Sequence, residues 1–243
     1  MNILVCISRV PDTATKIVIG GDRKSITPEG VKFIIGPYDE FAIEEALQLK
    51  KANGGEVTVV TVGTEKSQDV LRTALAMGAD KAVILKTEEA VDSFFVAKNI
   101  ADYAKGINPD LILLGRQSID FDSFQMTSSL AELLDMPSVS VVSKLAINGD
   151  ALECERDIEG GKETLYASLP CVISTQKDLN SPRYPKLPDI MKAKKKPIET
   201  IDATPVEART ELLDMELPKS NRKGIILSDS DEDIAKFVEL IKG

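Results

Sequence analysis

The chain has 243 residues, 43% hydrophobic and 28% charged, enough for one large α/β core or one domain with an appendage. Its 30 basic and 39 acidic residues leave a formal charge of −9, which disfavours general binding to nucleic acid or anionic membranes except through a local basic patch, and one such patch lies near the C-terminus. There is no histidine, so Ser-His-Asp and Cys-His catalysis, histidine-metal sites and histidine proton shuttles are excluded, and no metal site is predicted. Cys6, Cys154 and Cys171 form no CxxC and are odd in number, so they read as buried small hydrophobes rather than as a disulfide framework.

Residues 2–8 are a strand-like apolar run, too short to span a membrane and with no charged stretch before it. No targeting or membrane segment is read, and a cytoplasmic location is expected. Pro11-Asp12 favours a turn, after which residues 16–19 and 30–35 read as short strands around the polar turn Gly20 to Arg23. Gly36-Pro-Tyr-Asp39 punctuates the chain. Residues 38–52 are predicted helical, with Asp39 and Glu40 in the first turn and Lys50 and Lys51 in the last, complementing the helix dipole.

A β-branched strand at 56–62 leads into a helix carrying Val70, Leu71, Ala74, Leu75 and Met77, ended by Gly78. Another strand (81–85), another helix (93–105) and a strand at 111–114 follow. Four such units in a row predict a doubly wound, mostly parallel sheet with right-handed crossovers. Ligands of these sheets lie beyond the carboxyl ends of the strands, so Ser8, Val62 and Leu114 should share one rim over which Gly36-Pro37 folds. The stretch from Asp110 to Gln125 is the centre of this arrangement. An apolar strand stops at Gly115, and Ser, Asp and Gln precede a new apolar-periodic segment. Two readings fit: a phosphate site at a helix N-terminus, or a plain connection with Ser123 or Asp122 as N-cap.

Beyond Pro137 the pattern has period two at 139–147, 152–156, 163–169 and 171–175, with Asn148-Gly149 and Gly160-Gly161 as turns, predicting an antiparallel extension. Residues 181–188 hold three prolines. A short basic helix is expected from Asp189, as N-cap, to Lys196, followed by an extended arm over 198–223. Ile234, Phe237, Val238 and Ile241 line one face of a closing helix, which must either return to its own domain or dock on a partner. The organisation expected is a domain over 1–180 and a recognition loop with a C-terminal arm over 181–243.

Four segments carry a family resemblance: Gly36-Pro-Tyr-Asp-Glu-Phe-Ala-Ile-Glu-Glu-Ala46, Arg72-Thr-Ala-Leu-Ala-Met-Gly-Ala79, Leu114-Gly-Arg-Gln-Ser-Ile-Asp120 and Arg183-Tyr-Pro-Lys-Leu-Pro-Asp-Ile-Met-Lys-Ala193. The chain resembles the beta subunits of electron transfer flavoproteins from end to end, and the last segment is the most specific. The resemblance implies a Rossmann-like fold of the adenine-nucleotide-binding type. It also implies a heterodimer with an alpha subunit that holds most of a redox-active FAD and moves electrons from flavin dehydrogenases, such as acyl-CoA dehydrogenases, to a quinone oxidoreductase. This subunit would be a carrier rather than an enzyme.

Its own nucleotide would be AMP, or a second FAD in electron-bifurcating members. The implied nucleotide contacts are Cys6, Gly36, Pro37, Tyr38, Asp39, Val62, Gly115, Arg116, Gln117, Ser118, Ile119, Asp120, Phe121, Asp122, Ser123, Phe124, Gln125 and Met126. Ser118 and Phe121 depart from the family's loop, and the bulk of Phe121 favours AMP over a second dinucleotide. Thr13 stands where the family often has a flavin-facing tyrosine. Partner docking is implied for Tyr184, Leu187, Pro188, Ile190 and Met191, with Leu187 as the anchor. A stand-alone nucleotide-binding signalling protein would explain the front of the chain and leave this segment without a role. An adenylate-handling enzyme would need a glycine-rich pyrophosphate loop after the first strand, where Ser8-Arg-Val-Pro11 stands.

Overall fold

The computed structural model describes residues 1–88, 91–218 and 224–242. In chain order its strands and helices are β1 (Asn2–Cys6), β2 (Arg9–Pro11), β3 (Phe33–Ile35), α1 (Pro37–Asn53), β4 (Glu56–Gly63), α2 (Gln68–Met77), β5 (Lys81–Lys86) and α3 (Ser93–Ile107). There follow β6 (Leu111–Gly115), α4 (Met126–Leu134), β7 (Ser138–Asn148), β8 (Ala151–Ile158), β9 (Gly161–Ser168), β10 (Cys171–Thr175), α5 (Leu187–Ala193), β11 (Glu199–Asp202) and α6 (Asp231–Lys242). Among the described residues one nine-stranded sheet runs in the order β11-β5-β4-β1-β6-β10-β7-β8-β9, and β2 pairs with β3 separately. Within the nine-stranded sheet pairing is parallel from β11 through β7 and antiparallel at β7-β8-β9, and the separate β2-β3 pair is antiparallel.

The parallel strands are apolar on both faces because both faces are covered. Ile3, Val5, Val57, Val59, Leu111 and Leu113 pack with Ile43, Leu47, Leu71 and Leu75 of α1 and α2. Leu4, Cys6, Val60, Val83, Ile112 and Leu114 pack with Ile100, Ala104 and Leu130 of α3 and α4. Each fully buried Leu or Ile stabilises the fold by roughly 1.5–3 kcal/mol. The connection from β1 leads outward through α1 to β4 and β5. The chain then crosses back by α3 to β6, on the other side of β1. The winding therefore reverses between β1 and β6, which is where open α/β sheets hold ligands.

The chain separates into two compact units. The first comprises residues 1–17 and 27–211 and contains the whole sheet; the second comprises 18–26 and 212–243. Within the second, Arg23 forms a forked ion pair with Asp214 at 2.5 and 2.6 Å. The same unit contains α6, none of whose residues is buried.

Several expectations change. Residues 16–19 form no strand: Ile19 makes a single bridge to Ile26, and the hairpin partner of β3 is β2. The segment at 171–175 is a parallel strand inserted between β6 and β7, because an apolar run covered on both faces cannot be told from one strand of a hairpin by periodicity. The basic helix starts at Leu187, with Pro188 in its first turn and Lys186 at the cap, and not after Asp189. The arm over 198–223 is not wholly irregular: β11 extends the sheet beside β5, and its residues 219–223 lie outside the described residues.

Beyond β11 the arm is held by Asn99, buried in α3. Its amide oxygen accepts the Thr204 N–H at 2.7 Å and its nitrogen donates to the Thr204 carbonyl at 3.1 Å, replacing the pairing that a further strand would supply. Asn99→Ala leaves both backbone groups unpaired. It should cost about 1–3 kcal/mol in urea unfolding and accelerate proteolysis around residue 204 before the sheet opens.

Candidate functional site

The rim at the winding reversal is built on one carboxylate. Asp39 lies in the first turn of α1, where Pro37 at the start has no N–H to leave unpaired. Its Oδ2 accepts the backbone N–H and the hydroxyl of Ser8, each at 2.8 Å, and its Oδ1 accepts the Gly115 N–H at 2.9 Å. The ends of β1 and β6 and the start of α1 thereby meet at a single group. Both flanking glycines are required by space. A Cβ at Gly36 would stand 2.4 Å from Oδ2, and one at Gly115 would stand 2.4 Å from Oδ1 and 2.8 Å from the Tyr38 backbone. From β10 the Thr175 hydroxyl reaches the carbonyls of Tyr38 at 3.0 Å and Leu114 at 3.2 Å.

Burial raises the Asp39 carboxyl to about 6, against the hydrogen bonds from Ser8 and Gly115 that favour its charge. Burial, with the nearby Asp39 charge, pushes the Cys6 thiol far up, so Cys6 is a packed side chain and not a reactive thiolate.

The loop after Gly115 closes on itself. The Arg116 N–H donates to the Thr175 carbonyl at 3.1 Å. Its guanidinium lies 4.6 Å from the ring centre of Tyr38 and 5.4 Å from that of Phe124, within reach of cation–π attraction. Gln117 donates through Nε2 to Asp122 Oδ1, the Asp122 N–H donates to the Ser118 carbonyl at 3.0 Å, and Asp120 accepts the Phe121 N–H at 2.9 Å. Asp122 has φ 53°, a left-handed conformation that aspartate tolerates in turns. Ser118, Ile119 and Ser123 are half-buried, while Asp120, Phe121, Asp122, Phe124 and Gln125 are exposed, Phe121 to 71%.

The helix beyond the loop starts at Met126 with Gln125 at the cap and no side-chain capping bond, so neither Ser123 nor Asp122 caps it; Asp122, in a left-handed turn, bonds Gln117 within the loop instead. Its first N–H groups are left without intrahelical partners. In the loop before the helix and in its first turn, three buried atoms lack hydrogen-bond partners among the described residues: Arg116 Nε, Gln117 Oε1 and Thr127 Oγ1. Buried polar atoms are rarely left unpaired: the Arg116 cation, the Thr127 hydroxyl and a bare helix N-terminus can donate to an anion, whereas Gln117 Oε1 can only accept, from a hydroxyl or amino group.

Of the residues expected at the site, Gly36 to Asp39 and Gly115 to Met126 come together at this rim, and Cys6 lies between Val60 and Leu114 at the end of β1. Val62 stands one strand farther out, half-buried against the α3–α4 face. Thr127 and Thr175 did not stand out in the sequence. Their only signal is a hydroxyl at the polar end of an apolar element.

Tyr184, Leu187, Pro188, Ile190 and Met191 form a separate exposed patch, Tyr184 to 93% and Leu187 to 73%. The backbone beneath is clasped on both sides. Asn180 donates to the Phe41 carbonyl at 3.0 Å and to Glu45 at 2.9 Å, and Arg183 meets Glu44 in a fork at 2.7 and 2.9 Å. Burial pushes the Glu44 carboxyl up, and the bonds from Arg183 and Gln48 more than reverse it, leaving it below the usual glutamate value. On the far side Arg72 donates to the carbonyls of Ala193 at 2.8 Å and Lys196, and the Lys196 ammonium donates to the Ala79 carbonyl at 2.7 Å.

A doubly wound sheet with a glycine-lined rim and a bare helix N-terminus at its winding reversal defines the class of open, doubly wound α/β proteins. Residues 25–206 match the model of the electron transfer flavoprotein domain. The chain is 43% identical to the electron transfer flavoprotein subunit beta of Bacillus subtilis, with 100% of this chain and 98% of the relative covered. It is 39% identical to the mitochondrial subunit beta of Arabidopsis thaliana (98% and 97% covered) and 37% identical to the subunit beta of Homo sapiens (99% and 98% covered). The chain belongs to the electron transfer flavoprotein family, in its beta-subunit branch. No helix among the described residues is long and apolar enough to cross a membrane.

Asp39→Asn keeps the volume but presents an NH₂ group to an N–H that now donates to carboxylate, and should lower stability by about 1–3 kcal/mol at neutral pH in chemical denaturation. A carboxyl raised to about 6 when folded takes up a proton that the unfolded chain, at 3.8, does not. The wild type therefore gains stability from this group as pH falls through that window. The variant lacks the gain, and the gap between the two should widen.

Proposed function

We propose that the chain is the beta subunit of a heterodimeric electron transfer flavoprotein, a carrier rather than an enzyme, moving electrons from flavin dehydrogenases such as acyl-CoA dehydrogenases to a quinone-linked oxidoreductase. The carrier role rests on the family, and the observation that carries the nucleotide part of the reading is the pair of unpaired buried donors, Arg116 Nε in the loop and Thr127 Oγ1 in the first turn of the uncapped α4, with Gln117 Oε1 left to accept from the nucleoside. AMP suits this rim. The helix N-terminus and Thr127 would hold its phosphate, Arg116 would balance its charge, and Asp120 and Asp122 are already engaged by the loop itself. Phe121, exposed on the loop, would obstruct a second dinucleotide. AMP would act by stabilising the folded subunit through mass action and would not turn over.

The FAD belongs mainly to the alpha subunit and supplies the electron-accepting chemistry when bound. This chain covers part of it and docks the donor enzymes. The division of labour falls near residue 180, with nucleotide binding before it and partner recognition over 181–243. Leu187 is the docking anchor, because a protruding side chain on a backbone clasped at both ends inserts into a partner pocket with little left to order. Cys6, Cys154 and Cys171 are free and buried, which suits a reducing, cytoplasmic setting.

Leu187→Ala tests the reading in steady-state electron transfer from an acyl-CoA dehydrogenase to the assembled heterodimer. Loss of most of a buried leucine contact should raise the apparent KM for the heterodimer about tenfold, with kcat and nucleotide content unchanged. An unchanged KM would remove Leu187 as the anchor, and no flavin reduction by any flavin dehydrogenase would contradict the carrier role.

A further inference from the structure

The rim and the docking patch are anchored on the same two turns of one helix. Tyr38 and Asp39 of α1 face the rim, while Phe41, Glu44 and Glu45 hold the chain that leads to Leu187. The chain from the end of β10 onward meets both in the same way: the Thr175 hydroxyl meets the Tyr38 carbonyl at the rim, Asn180 meets Phe41 and Glu45, and Arg183 meets Glu44. We propose that the nucleotide rim and the docking segment are thermodynamically linked through α1, so that filling the rim stiffens residues 183–191 and raises their affinity for a protein partner.

The linkage rests on the reading of the rim as a nucleotide site. A ligand held by the loop after Gly115 favours the arrangement in which Gly115 and Ser8 bind Asp39, which is the arrangement with the N-terminal half of α1 seated. A seated α1 is also what brings Glu44, nearly fully buried, to the Arg183 guanidinium. Release of α1 would separate a buried carboxylate from its partner and leave Leu187, four residues beyond Arg183, on a chain held only on its far side by Arg72 and Lys196, with more to order at every encounter. By reciprocity, loosening the clasp must weaken the nucleotide by the same factor.

The test is calorimetric titration of AMP into the heterodimer freed of nucleotide, for the wild type, Arg183→Ala and Arg183→Lys, with amide exchange over 183–191 measured with and without AMP. Linkage predicts AMP binding weakened about fivefold or more in Arg183→Ala, partial recovery in Arg183→Lys, and slower exchange over 183–191 when AMP is bound. Equal AMP affinities together with exchange insensitive to AMP would overturn the linkage while leaving the nucleotide site standing. Failure of AMP to bind the wild type would overturn both. If Arg183→Ala does not fold, Asn180→Ala, which removes only the contacts to Phe41 and Glu45, supplies the comparison.

Discussion

Three chain segments far apart in sequence converge on the buried carboxylate of Asp39, and the functional end of the sheet depends on that convergence. Ser8 closes β1, Gly115 closes β6, and Asp39 opens α1; its two oxygens accept three hydrogen bonds from the other two. Holding a charge in so dry a place is unfavourable by itself, and the raised carboxyl value records that strain. The hydrogen bonds offset it by fixing the separation of the two strands between which the winding reverses. The glycines at 36 and 115 follow from the same constraint, since a side chain at either would collide with the carboxylate.

Much of this geometry is legible in the sequence. Alternating β-branched runs and amphipathic helices predict a doubly wound parallel sheet, and parallel strands must end at a common rim. What sequence reasoning misses is of a different kind. Strand β10 reads as part of a hairpin series because periodicity does not report on which neighbour a strand pairs with, and its insertion between β6 and β7 is a tertiary choice. Strand β11 lies in a stretch of weak pattern, and it forms because the edge of β5 offers a row of free backbone groups. At the rim, Asp39 reads as an ordinary first-turn acid, and nothing local shows that its charge is spent on Ser8 and Gly115. Nor does the loop's spacing reveal that Asp122 adopts a left-handed turn and leaves α4 uncapped.

The proposed function assigns separate tasks to separate surfaces. One end of α1 organises a rim suited to a mononucleotide, and the next turns of the same helix support an exposed apolar patch suited to transient docking. A carrier must bind several enzymes briefly, so a few protruding side chains on a rigid base serve better than a large apolar interface.

The most direct measurement is the nucleotide content of this chain purified with its alpha subunit, released by acid and quantified by chromatography. The account predicts one FAD and one AMP per heterodimer. Two FAD with no AMP would contradict the assignment of the rim to a mononucleotide and point to a bifurcating carrier. A heterodimer with no adenine nucleotide beyond its FAD would leave the unpaired atoms at Arg116, Gln117 and Thr127 without the ligand assigned to them.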